Sequence, residues 1–153
     1  MNHLLEKAIE LATTHHKGQV DKGGHAYILH PLAVMMRVNT IEEKIVAVLH
    51  DIIEDTPVTL HELRKHSFPE HIIEAIDILT KRKKESYDKY IWRIKNNPLA
   101  LVVKLADIEE NLNLKRIPSP TKKDLERIKK YFLVKKYLKN KSWVYKDKKW
   151  TMI

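Results

Sequence analysis

Apolar positions recur at helical spacing along almost the whole chain. Leu4, Leu5, Ala8, Ile9, Leu11 and Ala12 fall at i, i+3 and i+4 and predict an amphipathic helix ending near His16. Gly18, Gly23 and Gly24, all the glycine in the chain, follow within seven residues and predict a loop. Pro31 suits the first position of a second helix through Leu32, Val34, Met35 and Val38. Thr40-Ile-Glu-Glu43 reads as a capping box opening a third helix, EEKIVAVLHDIIED, which Asp55-Thr-Pro57 stops. Thr59-Leu-His-Glu62 is a second box, for a short helix to about His66, and Pro69 begins another through Ile72, Ile76 and Leu79. Lys81 to Glu85 is a charged connection. Ser86 caps a helix carrying Tyr90, Ile91 and Ile94, and Pro98 opens the apolar run LALVVKLADIEENL. After a turn at Ser119-Pro120, Thr121-Lys-Lys-Asp124 caps a last helix to about Asn140. LALVVKL alone could be a buried strand, but its length and the acids that follow favour helix. The pattern predicts an all-α protein, with one domain over residues 1–140 and a basic, aromatic-containing tail over 141–153.

Composition narrows the class. A chain of 153 residues, 43% of them hydrophobic, is long enough to bury a self-standing core. With no cysteine, a disulfide framework, a thiolate zinc site and a thiol nucleophile are excluded. No apolar run approaches the ~20 residues that span a bilayer. The start, MNHLLEKAIELATTHH, lacks the basic-then-apolar order of a signal peptide, so a cytoplasmic address and no membrane partner are expected.

The net charge of +9 suggests an anionic partner, and its distribution changes what that means. Residues 1–113 carry 15 Lys and Arg against 17 Asp and Glu, whereas residues 114–153 carry 14 against 3. All nine histidines lie at or before His71. An acidic, histidine-rich body therefore precedes a cationic end, and the chemistry is expected in the body. For the end, the simplest reading is a solvated helix face. A second is a field that steers a polyphosphate. A third is nucleic-acid binding through Trp143, Tyr145 and Trp150 among the lysines, which no helix-turn-helix or single-strand motif supports.

In the third predicted helix, His50-Asp51 is followed one turn later by Glu54-Asp55, which places Glu54 below His50 and Asp55 below Asp51. Burying such carboxylates uncompensated costs several kcal/mol each, so they call for a cation or water. Histidine and carboxylate donors without sulfur suit a divalent metal of the manganese or iron kind. His30, at the mouth of the glycine loop, and Asp107, interrupting Leu101 to Ala106, are two further candidates. Each has a plainer reading: a structural His-Asp pair, a histidine capping the loop, an aspartate facing solvent. Their joint order on three helices favours the metal. Lys22, Lys81 and Lys104 are candidates to neutralise phosphate, with Lys104 best placed, one turn before Asp107; the alternative is a solvated lysine. Tyr27 is a candidate to stack on a base or ribose, or else a core residue.

The order His30, His50-Asp51, Asp107 resembles that of the HD superfamily of metal-dependent phosphohydrolases. It is closer still to the hydrolase domain of RelA/SpoT proteins and to small alarmone hydrolases. The matching segments are His16-Lys-Gly-Gln19, Tyr27-Ile-Leu-His-Pro31, Leu49-His-Asp-Ile-Ile-Glu-Asp-Thr56 and Lys104-Leu-Ala-Asp107 followed by Asn111, between about Ala8 and Leu138. The resemblance implies an orthogonal helical HD domain with one Mn²⁺ held by His30, His50, Asp51 and Asp107. It implies hydrolysis of the 3′-pyrophosphate of guanosine tetra- or pentaphosphate, with Glu54 and Asp55 positioning and activating the water. Asn111 corresponds to a nucleotide contact, and His16 to a pocket position. Two segments depart from the family. Asp21-Lys22 stands where it usually has Arg-Lys, and Ile108-Glu-Glu-Asn111 where it often has Arg-Leu-His-Asn. Both are expected to set acids where a polyanion meets bases. The alternatives are therefore a different nucleotide substrate, or a non-enzymatic regulatory or nucleic-acid-binding protein on the same fold.

Overall fold

Thr40, Thr59 and Thr121 each accept a hydrogen bond from the main chain three residues on, and Glu43, Glu62 and Asp124 answer reciprocally. These boxes open three of the helices in a computed structural model that describes residues 1–113, 117, 119–140, 143–146 and 149–152. In order, the described elements are α1 (Asn2–His15), α2 (Leu29–Met36), α3 (Ile41–Leu49), α4 (Ile52–Asp55), α5 (Leu60–Lys65), α6 (Glu70–Leu79), α7 (Tyr87–Lys95), α8 (Pro98–Asn111) and α9 (Lys122–Lys139). A hairpin of β1 (Trp143–Lys146) and β2 (Lys149–Met152) follows.

Helix α3 is the axis of the body. Ile45, Val46, Ala47, Val48 and Leu49 are all fully buried, as a helical segment that is apolar all round must be. At roughly 1.5–3 kcal/mol for each large side chain buried, this segment is a main source of cohesion. Helices α1, α2, α6 and α8 pack around it, and α8 in turn meets α2, α6, α7 and α9. The C-terminal end of α3, the start of α2 and the last turns of α8 thus meet at one place. Each carries a candidate metal ligand there.

Three local features differ from the sequence expectation. Helix α2 begins at Leu29 rather than Pro31, which sits within the first turn, where a missing N–H leaves no bond unmade. EEKIVAVLHDIIED is two helices rather than one. His50 Nδ1 lies 2.6 Å from the Ala47 carbonyl oxygen, the acceptor that the Asp51 N–H would use in a continuous helix, and the chain resumes as α4. The tail beyond Asn140 forms an antiparallel hairpin with Trp143 opposite Met152 and Tyr145 opposite Trp150, beside the all-α body. The side chains of Trp143, Tyr145 and Trp150 lie outside the described residues. Among those described, no helix is long and apolar enough to cross a membrane.

Candidate active site

His30 Nε2, His50 Nε2 and an Asp107 carboxylate oxygen all lie within 4.8 Å of one another, and all three residues are buried. His30 Nε2 is 3.0 Å from Asp107 Oδ1, and His50 Nε2 is 3.5 Å from the same oxygen. Asp51 approaches from the side, its Oδ2 3.0 Å from His50 Nε2 and 3.9 Å from His30 Nε2. The Ala47 carbonyl can only accept, so His50 Nδ1 carries a proton and Nε2 faces the cluster. That Nε2 is buried and has no hydrogen-bond partner. Two imidazole nitrogens converging on two carboxylates are the donor set a divalent cation takes. The residues present fit the metal.

The charge balance agrees. Asp107 also accepts from Lys104 Nζ at 2.9 Å and from Asn111 Nδ2 at 3.0 Å. Burial opposes its charge, but Lys104 and the two imidazoles outweigh burial and hold the carboxyl well below its usual range. Burial also opposes the Lys104 ammonium, which Asp107 keeps charged. Asp51 is likewise held down, to about 2, by His50 against the cost of burial. Glu54 and Asp55, at the exposed rim, are pushed up, first by partial burial and then by Asp51. Lys104 and His50, whose imidazole Asp51 and Asp107 raise well above its usual range against burial, supply the positive charge that faces these carboxylates.

The remaining candidates take distinct places. The Tyr27 hydroxyl donates to Asp51 Oδ2, and its ring lies 5.1 Å from that of His16 and 5.8 Å from that of His30. Asn111 therefore braces a metal-site carboxylate while also lining a cavity of about 280 Å³ with Val20, Asp21, Lys22, Tyr27, Asn113, Ile117 and Arg127. Tyr27 and Asn111 thus form a wall between cavity and metal cluster. Lys22 borders that cavity, but its ammonium pairs with Asp124 at 3.0 Å. Lys81 turns its ammonium to the Arg82 carbonyl, and only its main-chain N–H meets the site, on Glu54 Oε1 at 3.2 Å.

The acids expected to disturb the substrate shell each have partners of their own, although Asp21 also lines the cavity. Asp21 Oδ1 accepts from the N–H groups of Gly23 and His25, both at 2.9 Å, and so shapes the loop in which Gly24 adopts a φ of 81°. Glu110 is buried against Arg37 at 2.7 Å, Glu109 pairs with Lys135, and Ile108 is wholly in the core. Sequence reasoning missed Arg127, because a single arginine on a lysine-rich helix carries no signal until α9 folds back on the body. It also gave Gln19 no role, although its amide spans from His16 to the Asp55 carbonyl.

The fold and this cluster define a class, the HD-type helical domain with a buried histidine-aspartate cluster. No family model matches the sequence. Among curated proteins, the chain is 32% identical over 120 residues to a guanosine-3′,5′-bis(diphosphate) 3′-pyrophosphohydrolase of Aquifex aeolicus. That alignment covers 71% of this chain and 17% of the relative. It is 31% identical over 135 residues to a probable GTP pyrophosphokinase of Mycobacterium leprae, covering 78% and 17%. With the bifunctional (p)ppGpp synthase/hydrolase SpoT of Escherichia coli it shares 29% identity over 123 residues, covering 71% and 17%. A solved structure described as a metazoan ortholog of SpoT that hydrolyzes ppGpp superposes with a TM-score of 0.71 at 23% identity, over 87% of this chain and 82% of that one. The chain is an HD domain of the RelA/SpoT hydrolase type. It spans about one sixth of the length of the curated relatives it matches.

Proposed function

We propose that this domain hydrolyses a nucleotide polyphosphate, releasing pyrophosphate from the 3′ position of guanosine tetra- or pentaphosphate, with Mn²⁺ as its cofactor. The observation that carries the reading is the buried cluster in which His30, His50 and Asp107 bring donor atoms within 4.8 Å of one another, with Asp51 beside them. The named activity of the Aquifex aeolicus relative supports the substrate class. The proposed catalytic unit is residues 1–140, since every site residue lies before the end of α9, and the proposed setting is the cytoplasm.

In this reading His30, His50, Asp51 and Asp107 hold the metal. When bound there, it lowers the pKa of a water and polarises a phosphoryl oxygen. The protein's own groups do the rest. Ala47 fixes the His50 tautomer, and Tyr27 fixes the Asp51 carboxylate through its hydroxyl. Asp55 and Glu54, raised towards neutrality by burial and Asp51, are the proton acceptors for the attacking water. The cavity beside Tyr27 and Asn111 receives the nucleoside, with Arg127 as the cation that Asp21 does not provide. The test is to load the protein with Mn²⁺, offer a panel of nucleotides and identify the product. Pyrophosphate from guanosine tetraphosphate is expected, lost in the His50→Ala, Asp51→Ala double variant. Turnover that survives the double variant would sink the mechanism. Release from other nucleotides alone would move the substrate and leave the chemistry.

A further inference from the structure

His50 has a counterpart outside the metal cluster. His16, which follows the last residue of α1, is 1% exposed, and its Nε2 is likewise buried without a hydrogen-bond partner. Its Nδ1 lies 2.9 Å from Gln19 Oε1, and the far end of the same amide donates from Nε2 to the Asp55 main-chain carbonyl at 3.0 Å. A carbonyl oxygen only accepts, so the Gln19 NH₂ must face Asp55 and its Oε1 must face His16. In the neutral ring Nδ1 therefore bears the proton, and Nε2 is a lone pair with its direction fixed. The His16 ring lies 5.1 Å from that of Tyr27, and it is close enough to Asp55 that a proton on the ring would lower that carboxyl. A buried acceptor without a donor costs about 1–3 kcal/mol, so such an arrangement calls for a donor in the working protein. No described side chain supplies one.

We infer that His16 is a positioning residue whose Nε2 accepts a hydrogen bond from a water molecule that donates its second hydrogen to the Asp55 carboxylate. These two acceptors use both hydrogens of that water, within the two to four hydrogen bonds a buried water makes. It restrains the Asp55 carboxylate, while Gln19 ties the main chain of Asp55 to the same imidazole. The role in turnover rests on the hydrolase reading above; the hydrogen bond to Nε2 does not.

Two replacements separate this role from mere packing. His16→Asn keeps an N–H where Nδ1 stands, and with it the bond to Gln19, but has nothing at Nε2. His16→Gln sets its amide near Nε2 and gives up the bond to Gln19. With guanosine tetraphosphate and Mn²⁺, His16→Asn is expected to lower kcat at least tenfold at a KM within twofold, and His16→Gln to recover part of the loss. Wild-type kcat in His16→Asn would overturn the role, as would a greater loss in His16→Gln. The second readout needs no turnover. In metal-free protein labelled with ¹⁵N-histidine, NMR is expected to show His16 protonated at Nδ1, with Nε2 shifted as for a hydrogen-bonded lone pair. A proton on Nε2, or the shift of a bare lone pair, refutes the inference. That spectrum decides it even if the wild-type protein hydrolyses no nucleotide or the variants fail to fold.

Discussion

Lys104 and Asp107 stand 2.9 Å apart, with side chains 11% and 7% exposed. The ammonium also lies 5.4 Å from the centre of the Tyr90 ring, a cation–π contact that helps hold it in an apolar setting. Removing one partner of a buried pair leaves an uncompensated charge. Lys104→Met should therefore destabilise the metal-free protein by about 3 kcal/mol. Added Mn²⁺ should restore part of that loss, because a cation at the cluster offsets the same carboxylate. Urea melts with and without the metal check both halves. An unchanged midpoint in the metal-free variant would show that the ammonium does not compensate Asp107. At this scale the sequence placed Lys104 one turn before Asp107. Burial then decided which of the three candidate lysines meets the Asp107 carboxylate, since the ammonium groups of Lys22 and Lys81 turn to Asp124 and to the Arg82 carbonyl.

Among the elements, the break between α3 and α4 does the most for the site. The ring of His50 takes the carbonyl that would carry the helix onward, so the residue that ends α3 is also the one whose tautomer the break fixes. The start of α9 is the other informative junction. Main-chain and hydroxyl donation from Thr121, then the Lys22 ammonium, hold the Asp124 carboxyl down to about 2, against an unfolded value near 3.8. A depressed carboxyl contributes stability above its unfolded pKa and loses it as pH falls through the folded one. The stability gap between wild type and Asp124→Asn should therefore be full above about pH 4 and close between about pH 4 and 2. Melts of the two proteins across that window test it, and a gap that widens on acidification would contradict the assignment. The caps themselves were legible as Thr-x-x-Glu and Thr-x-x-Asp. The tether from the glycine loop to α9 was not, because its partners lie 102 residues apart.

For the whole molecule, the charge division takes on a different meaning. Read along the chain, the cationic end stands apart from the acidic body. In three dimensions α9 lies along α8 and α7, Lys135 pairs with Glu109, and Arg127 lines the cavity that Tyr27 and Asn111 share with the metal cluster. The positive segment thus borders the site. With the proposed polyanionic substrate, kcat/KM should fall as NaCl rises from 20 to 300 mM, roughly the range over which screening shortens from about 20 to under 10 Å. The rate at saturating substrate should change little. A kcat/KM insensitive to salt would return α9 to the solvated face that its lysines first suggested.

How much was visible in the sequence depends on the range of the interaction. Helical periods, caps and the order His30, His50-Asp51, Asp107 are local or ordered along the chain, so the all-α architecture and the metal-site candidates could be read from it. The acids at 21, 109 and 110 could not be interpreted there, because whether a carboxylate faces substrate or a partner is a matter of packing. Only the fold turned them to the glycine loop, to Lys135 and to Arg37. The sequence by itself determined which groups could bear the chemistry, through their types and spacing. The tertiary structure decided which nitrogens are left with free lone pairs and which charges are already matched, since burial and a third residue settle both.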